Sequence, residues 1–502
     1  MPPIPDAAEV FRRHEILLIG ANGFLGKVLL GMLIDRFPDL KHLHILMRPK
    51  GPVPARERFV KDVLGSPALK PVLAKAPAGW SAEKITVLPG DIGEDRCGLS
   101  EAAVASLEGR VDLIVNCAGL VEFFPPVDES FKSNVDGVER VVALAKRLGA
   151  KLLHVSTCYV CGPADGVVEE TEPVPGFYPR RKGPDDHAFD HRAELAYTRE
   201  RIRAIRDSGD AAGATADRLT ELGRMRSSHW GWVNTYTYAK SIGEQIVVSE
   251  PGLDHAIVRP AIVESALHFP FPGWVEGGRT AAPLVLMAMG GLRHWTIRKD
   301  APLEVVPVDF VASSILTVSA LLMHGRHEQV YQLGTADVNP LLLEPLVELL
   351  HSEARRRQRR PLARPVRIVT AQRARERRVN LQRRIKRAQA VLFAVKKTLE
   401  AAGLPGHRPI TKIATALRML DLQSLFREQT LELYQPFILH NSFVFECENI
   451  RAAYRQLSPR DRDLLPWTPE TIDWRTYWVH HQIDGIEKWV QQEAVKDFTF
   501  KV

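Results

Sequence analysis

At 502 residues the chain is longer than one ordinary domain, so a large enzyme-sized unit with a second region is the starting expectation. Hydrophobic residues make up 45% and charged residues 25%, a globular composition that excludes a disordered chain. The formal charge of +7 is concentrated: Arg355–Lys397 holds seventeen Lys or Arg and one acid, Glu376, which leaves the rest of the chain net acidic.

The amino-terminal stretch MPPIPDAAEVFRRHE has no apolar core and is not expected to be a secretion signal. From there to about residue 160, short apolar runs alternate with amphipathic stretches, which predicts strands at Glu15–Ile19, Leu43–Met47, Lys84–Leu88, Asp112–Asn116 and Lys151–Ser156. Helices are expected between them, at Gly26–Arg36 and Val135–Leu148. Two more strands fall at His255–Arg259 and Gln329–Leu333. Strands separated by helices predict an α/β fold with one doubly wound, Rossmann-type parallel sheet.

Phe177 to about Trp230 breaks this rhythm with charged, helix-prone sequence and reads as an insertion. The longest apolar run, Ala281–Leu292, is too short to span a bilayer and contains Pro283, Gly290 and Gly291. Arg355–Lys397 reads as basic helix interrupted by Pro361 and Pro365. The rest is tryptophan-rich and helical in pattern. The expected division is therefore a sheet domain over 1–350, a basic helical linker over 351–400 and a helical C-terminal domain over 401–502. Five scattered cysteines (Cys97, Cys117, Cys158, Cys161, Cys447) give no disulfide framework and fit a reducing, cytoplasmic setting.

The first strand runs into Gly20-Ala21-Asn22-Gly23-Phe24-Leu25-Gly26 and then a helix. A dinucleotide pyrophosphate needs backbone N–H groups and a helix N-terminus free of intervening side chains. Gly20 can make the turn, Gly23 can admit the phosphates and Gly26 can let the helix pack closely. An ordinary glycine-rich turn is the bland alternative. The second strand ends in Arg48-Pro49-Lys50, where enzymes selective for NAD place an acid; an arginine there accommodates the 2′-phosphate of NADPH. Asp91 and Ile92 follow the third strand, placed to meet the adenine. Asn116, Ala118 and Gly119 follow the fourth, where a cofactor would lie against the sheet.

Tyr236 and Lys240 stand four apart at the start of a long helical stretch, so their side chains share one face. A phenol with an ordinary pKa of about 10 donates protons poorly at neutral pH, and a neighbouring ammonium makes it a better acid. Ser156 and Thr157 end the fifth strand, and a hydroxyl there can hydrogen-bond a substrate carbonyl oxygen. Cys158 and Cys161 form C-x-x-C, but inside this hydroxyl segment and without a thioredoxin-like context they read as buried cysteines. His187 and His191 lack the glutamate and third ligand of a zinc site, and no metal is expected.

These residues resemble the fatty acyl-CoA reductase family of extended short-chain dehydrogenases. The resemblance runs through Gly23–Lys27, Leu46–Lys50, Val155–Tyr159, Asn234–Lys240, Val258–Val263, Pro272–Val275 and Val306–Asp309. It continues at the far end through Phe443–Phe445, Asn449–Asp461 and Ile472–Tyr477, which look like the family's C-terminal domain. Ile19 stands where the family usually has threonine, and Asn116-Cys117 stands where its fourth-strand motif is alanine-rich. The resemblance favours Thr157 over Ser156 as the working hydroxyl. It adds Phe24, Leu25, Lys240, Pro260 and Val263 to the cofactor contacts. It also implies a long-chain acyl-CoA substrate, NADPH as cofactor, and reduction through an aldehyde to the alcohol.

The sequence leaves open whether coenzyme A or an acyl carrier protein delivers the acyl group. Three other readings stand beside this one: a thioester reductase that stops at the aldehyde, a sugar-nucleotide epimerase or dehydratase, and a non-catalytic NADPH sensor. For Arg355–Lys397 the bland reading is a solvated linker, and the sharper one is peripheral contact with an anionic membrane. Nucleic acid is not expected there, because no aromatic residues interleave the charges.

Overall fold

Near-continuous apolar runs such as EILLI and HLHILM fit strands that are covered on both faces, the setting of parallel sheets. In the computed structural model, which describes residues 6–76, 80–170, 174–183, 185–278, 280–357, 365–402 and 407–490, these runs form β1 (Glu15–Ile19) and β2 (His42–Met47). They are joined by β3 (Ile85–Pro89), β4 (Val111–Asn116), β5 (Lys151–Val155), β6 (His255–Pro260) and β7 (Val330–Leu333). The seven form one sheet in the order β7-β6-β5-β4-β1-β2-β3. Every neighbouring pair is parallel. The order reverses between β1 and β4, the switch point at which doubly wound sheets bind their ligands.

The accompanying helices are α1 (Phe24–Arg36), α2 (Asp136–Leu148), α3 (His191–Arg206), α4 (Ala212–Trp230), α5 (Thr235–Val248) and α6 (Val308–Met323), with α3 and α4 packed on α5. Helix α2 stops at Gly149, whose φ of +68° supplies a left-handed cap before β5. Helix α6 is buried from Val308 to Leu322, which explains its apolar character on all sides. A continuous core joins Leu17, Ile114 and Leu152 of the sheet to Val138, Val142 and Val247 of the helices.

The interruption expected over 177–230 contains α3 and α4. Glu194 of α3 ties them to α5: it receives two bonds from the Arg226 guanidinium, at 2.9 and 2.5 Å, and the hydroxyl of Tyr238 at 2.5 Å. Tyr178, Phe189, Trp230 and Trp232 pack edge to face beside this network.

The chain divides into two compact units: Met1–Ala281, Glu304–Leu341 and Phe443–Val502 form the first, and Ala282–Leu303 with Leu342–Ser442 the second. These divisions differ from those expected at 350 and 400. The expected helical C-terminal region is present, as in Glu448–Gln456 and Pro459–Leu464. From Phe443 onward, however, it closes over the sheet unit. Phe445 N donates to the buried carboxylate of Glu304 at 2.7 Å, and Glu446 N donates to Val168 O at 3.0 Å. Asn449 Nδ2 donates to Val330 O of β7 at 2.9 Å. The Tyr159 ring meets Phe443 and Phe445 edge to face at 5.1 and 5.3 Å.

The second unit contains Ala282–Met289, Leu343–Arg357 and two long helices, α7 (Ala371–Ala401) and α8 (His407–Gln435). Of the expected basic helix, residues 358–364, Pro361 included, lie outside the described residues. Among the described residues no helix is long and apolar enough to cross a membrane.

Candidate functional site

The first part of the site forms where β1 turns into α1. Gly20 has a φ of +93°, and a Cβ there would sit 2.8 Å from Ala118 N, so the missing side chain lets the loops after β1 and β4 touch. Cys117 N donates to Ile19 O at 2.9 Å across the same junction. A Cβ on Gly26 would overlap Gly20 O. Gly23 caps α1 with no side-chain bond, and a Cβ there would meet just Gly20 O, at 3.4 Å. The space over it is open, and the first turn can present N–H groups and its positive dipole end to an anion. Phe24 and Leu25 are half-buried beside it.

Past β2, the exposed Arg48 guanidinium lies 3.6 Å from the carboxylate of Asp91, which follows β3. Asp91 Oδ1 also accepts from Gly93 N at 2.9 Å. Ile92 is buried, and Lys50 is exposed in a short bridge with Val53.

After β4, Asn116 is fully buried; its Oδ1 accepts from Ala118 N at 3.2 Å and its Nδ2 faces His154 Nδ1 at 3.3 Å. A Cβ on Gly119 would press on Asn134 Oδ1 at 2.9 Å. The Asn134 amide brackets Leu120, accepting from its N at 3.0 Å and donating to its O at 2.9 Å. Neither Asn134 nor His154 stands out in the sequence as a site residue. His154 could have been found, being the one uncharged polar residue in KLLHV just before Ser156. Asn134 carries no comparable signal.

The second part of the site is the end of β5 and the start of α5. Thr157 Oγ1 donates to Pro260 O, the last residue of β6, at 3.2 Å, and is hydrogen-bonded with the Tyr236 hydroxyl. The Ser156 hydroxyl is buried with no hydrogen-bond partner among the described residues, while its N donates to Val258 O at 2.7 Å. Asn234 caps α5 by accepting from Thr237 N at 2.8 Å. The i,i+4 spacing then puts Tyr236 and Lys240 on one face. Tyr238, two residues on, points the other way into Glu194. Val263 lies apart from the main sheet, in a two-stranded pairing opposite Val306.

Burial pushes the Tyr236 phenol up to about 12, outweighing the hydrogen bond with Thr157, which acts to lower it. Lys240 Nζ donates to Val155 O at 2.6 Å and lies 3.5 Å from His154 Nε2. Burial lowers the Lys240 ammonium to about 8, opposed by the Glu244 carboxylate one turn on. Glu244 is itself gripped by the buried Arg259 guanidinium through two bonds of 2.9 and 2.6 Å. Burial also raises the Cys158 thiol well above its ordinary range, and Cys158 and Cys161 are free, so neither is poised as a thiolate.

A phenol, a hydroxyl and a lysine ammonium therefore converge at the ends of β5 and β6, on the same edge of the sheet as the open glycine turn. Such a cluster can hold a carbonyl oxygen, share negative charge that develops on it and deliver a proton.

A profile described as male sterility protein, with an NAD-binding designation, matches residues 18–315. The alcohol-forming fatty acyl-CoA reductase of Simmondsia chinensis is 26% identical over 509 residues, covering 97% of this chain and 99% of that one. Fatty acyl-CoA reductase 2 of Homo sapiens is 25% identical over 494 residues, covering 97% and 86%. The reductase domain of a nonribosomal peptide synthetase from Mycobacterium tuberculosis shares the fold, with a TM-score of 0.52 at 20% identity over 96% of this chain and 94% of that domain.

Proposed function

This chain belongs to the male sterility protein family, and from that premise we propose that it is an NADPH-dependent reductase converting long-chain fatty acyl-CoA through an aldehyde to the alcohol. The observation that carries the reading is the Tyr236–Thr157 hydroxyl pair above Lys240. Similarity along nearly the whole chain to proteins named as fatty acyl-CoA reductases supports the substrate.

The residues present fit a nicotinamide dinucleotide: the backbone over Gly23 is open, and the buried Ser156 hydroxyl is unpaired. Gly20, Gly23, Phe24, Leu25 and Gly26 would hold the pyrophosphate, with Arg48 and Lys50 at the 2′-phosphate. Asp91 and Ile92 would meet the adenine. Asn116, Ala118, Gly119, Lys240, Pro260 and Val263 would line the path to the nicotinamide. When bound, the cofactor supplies hydride to the substrate carbonyl carbon.

The protein's own part is electrostatic and protonic. Tyr236 and Thr157 donate hydrogen bonds to the thioester carbonyl oxygen and stabilise it as it becomes an oxyanion. Collapse of the resulting hemithioacetal breaks the C–S bond, releasing the coenzyme A thiol and leaving the aldehyde in reach of the same two hydroxyls. In the second round Tyr236 gives its proton to the alkoxide, and the Lys240 charge one turn below makes the phenolate less costly. Thioester to alcohol is a four-electron reduction, so two hydrides and two protons enter for each thiol released.

Stoichiometry tests the reading. With palmitoyl-CoA, about two NADPH should be consumed per coenzyme A released, with alcohol as the product. A ratio of one with accumulating aldehyde replaces it by the aldehyde-releasing alternative. Contact with an anionic membrane through the Arg355–Lys397 region belongs to the same reading, since a long acyl chain partitions into bilayers.

A further inference from the structure

Helices α7 and α8 pack along one seam. On α7, residues at a spacing of three or four, such as Ala374, Arg378, Ile385 and Leu392, are the more covered ones, and of the whole helix just Ile385 is fully buried. On α8 the matching row runs through Ala414, Leu417, Asp421 and Glu428, with Arg378 paired to Glu428 across the seam. That is the narrow stripe of a two-helix coil. Toward the turn most of the other side chains are exposed, where a hairpin surrounded by water alone would carry polar side chains.

It does not carry them near the turn. Val391 is 62% exposed and Phe393 69%, with Val395 beside them, while α8 exposes Ile413, Met419 and Leu420. All six lie on the side of the Arg378–Glu428 pair toward the turn. Lys396, Lys397, Lys412 and Arg418 are interleaved with them, and residues 371–387 of α7 add eight Lys or Arg against Glu376.

We propose that the turn-side half of the α7–α8 hairpin docks on an anionic lipid bilayer, its apolar side chains entering the acyl layer and its Lys and Arg reaching the headgroups. Charge complementarity selects an anionic partner. The apolar side chains select a partner that also offers hydrocarbon, which a phosphate backbone does not. A second copy of the chain would cover the apolar patch but bring two strongly cationic surfaces together. The docking is peripheral. It sharpens the expectation for Arg355–Lys397 by moving the decisive contacts to the turn-side residues of both helices. It rests on the hairpin's surface and not on the reaction.

The test is co-sedimentation of the full chain with vesicles of phosphatidylcholine alone or mixed with phosphatidylserine. Binding should require phosphatidylserine and weaken about tenfold or more at high salt. The triple variant Val391→Ser, Phe393→Ser, Val395→Ser should bind about tenfold or more weakly even at low salt. Its helical circular dichroism and its turnover of a short-chain, water-soluble acyl-CoA should match wild type. The single change Phe393→Asp, at the most exposed of the six positions, should weaken binding in the same direction. Wild-type binding retained in both variants would overturn the proposal, as would no vesicle binding at all. A concentration-dependent dimer, abolished by the triple variant and unaccompanied by vesicle binding, would assign the patch to a second copy. Because turnover is read separately, failure here leaves the proposed reaction standing, and failure of the reaction leaves the docking testable.

Discussion

His154 Nε2 lies 3.5 Å from Lys240 Nζ, and Asn116 decides which proton His154 presents to it. Ala118 N–H donates to Asn116 Oδ1, so the amide NH2 of Asn116 must face His154 Nδ1, which then accepts. Burial, with help from the Lys240 charge, keeps the ring neutral, so its single proton sits on Nε2 and points at the amine. An N–H aimed at an ammonium is unfavourable. Burial is what lowers Lys240 to about 8, and the Nε2 N–H offers the ammonium no acceptor to offset it.

Asn116→Asp follows directly. Aspartate still accepts from Ala118 N but cannot donate to His154, so the ring proton moves to Nδ1 and Nε2 becomes an acceptor for the Lys240 ammonium. The added negative charge acts in the same direction. If catalysis needs Lys240 charged, wild-type kcat/KM should fall as pH rises past about 8. In the variant that alkaline limb should move up by about one pH unit or more. An unmoved limb would show that Asn116 and His154 support the loop and do not tune the lysine.

The two tyrosines of the Asn234–Lys240 segment should separate cleanly. Tyr236→Phe removes the proposed proton donor and should cost about a hundredfold or more in kcat. Tyr238→Phe removes the hydroxyl that donates to buried Glu194, with no contact to Thr157. It should lower stability by about 1–3 kcal/mol, read as a reduced melting temperature, with turnover close to wild type. Equal losses of turnover in both would mean that the wrong hydroxyl was chosen.

Cofactor choice should hinge on an ion pair. Arg48→Ala should weaken NADPH binding about tenfold or more and leave NADH nearly unchanged, measured by fluorescence titration. Asp91 holds the same guanidinium, so Asp91→Asn should tighten NADPH selectively. A wild type that prefers NADH would remove Arg48 from this role.

Glu304 sets a pH signature of stability. Its carboxylate accepts from Phe445, Thr335 and Ala336 N–H groups, yet burial outweighs them and pushes it up to about 7. The folded state therefore holds a proton that the unfolded chain releases near pH 4.5. The stability this contributes is full below that value and is lost as pH rises through about 7, falling by about 1.4 kcal/mol for each pH unit in between. The melting temperature of wild type relative to Glu304→Gln should accordingly be higher at pH 5 than at pH 8. A constant difference would mean that Glu304 is ionised throughout.

What the sequence made legible was local. β1 carries its signal in five consecutive buried residues, Gly20 in the turn that follows, and Tyr236 with Lys240 in one helical repeat. The strands fall within a residue or two of their expected ends. What it hid was distant. Nothing near Glu304 announces Phe445, 141 positions on, and nothing in Leu343–Arg357 announces Ala282–Met289 as its neighbour in the second unit. His154 looks like an odd polar residue in a strand until Asn116 and Lys240 are placed on either side of it.

The interleaved chain path has a consequence for synthesis. A ribosome that has released the first 440 residues has delivered the glycine turn, Thr157, Tyr236 and Lys240, but not the residues that satisfy Glu304 and cover Tyr159. Until Phe443–Phe445 emerges, the nascent sheet unit keeps an open seam beside a buried acid. Completion of that unit therefore waits for Phe443–Phe445, and a chain cut short within α8 would expose that seam to proteases even with every proposed catalytic residue present.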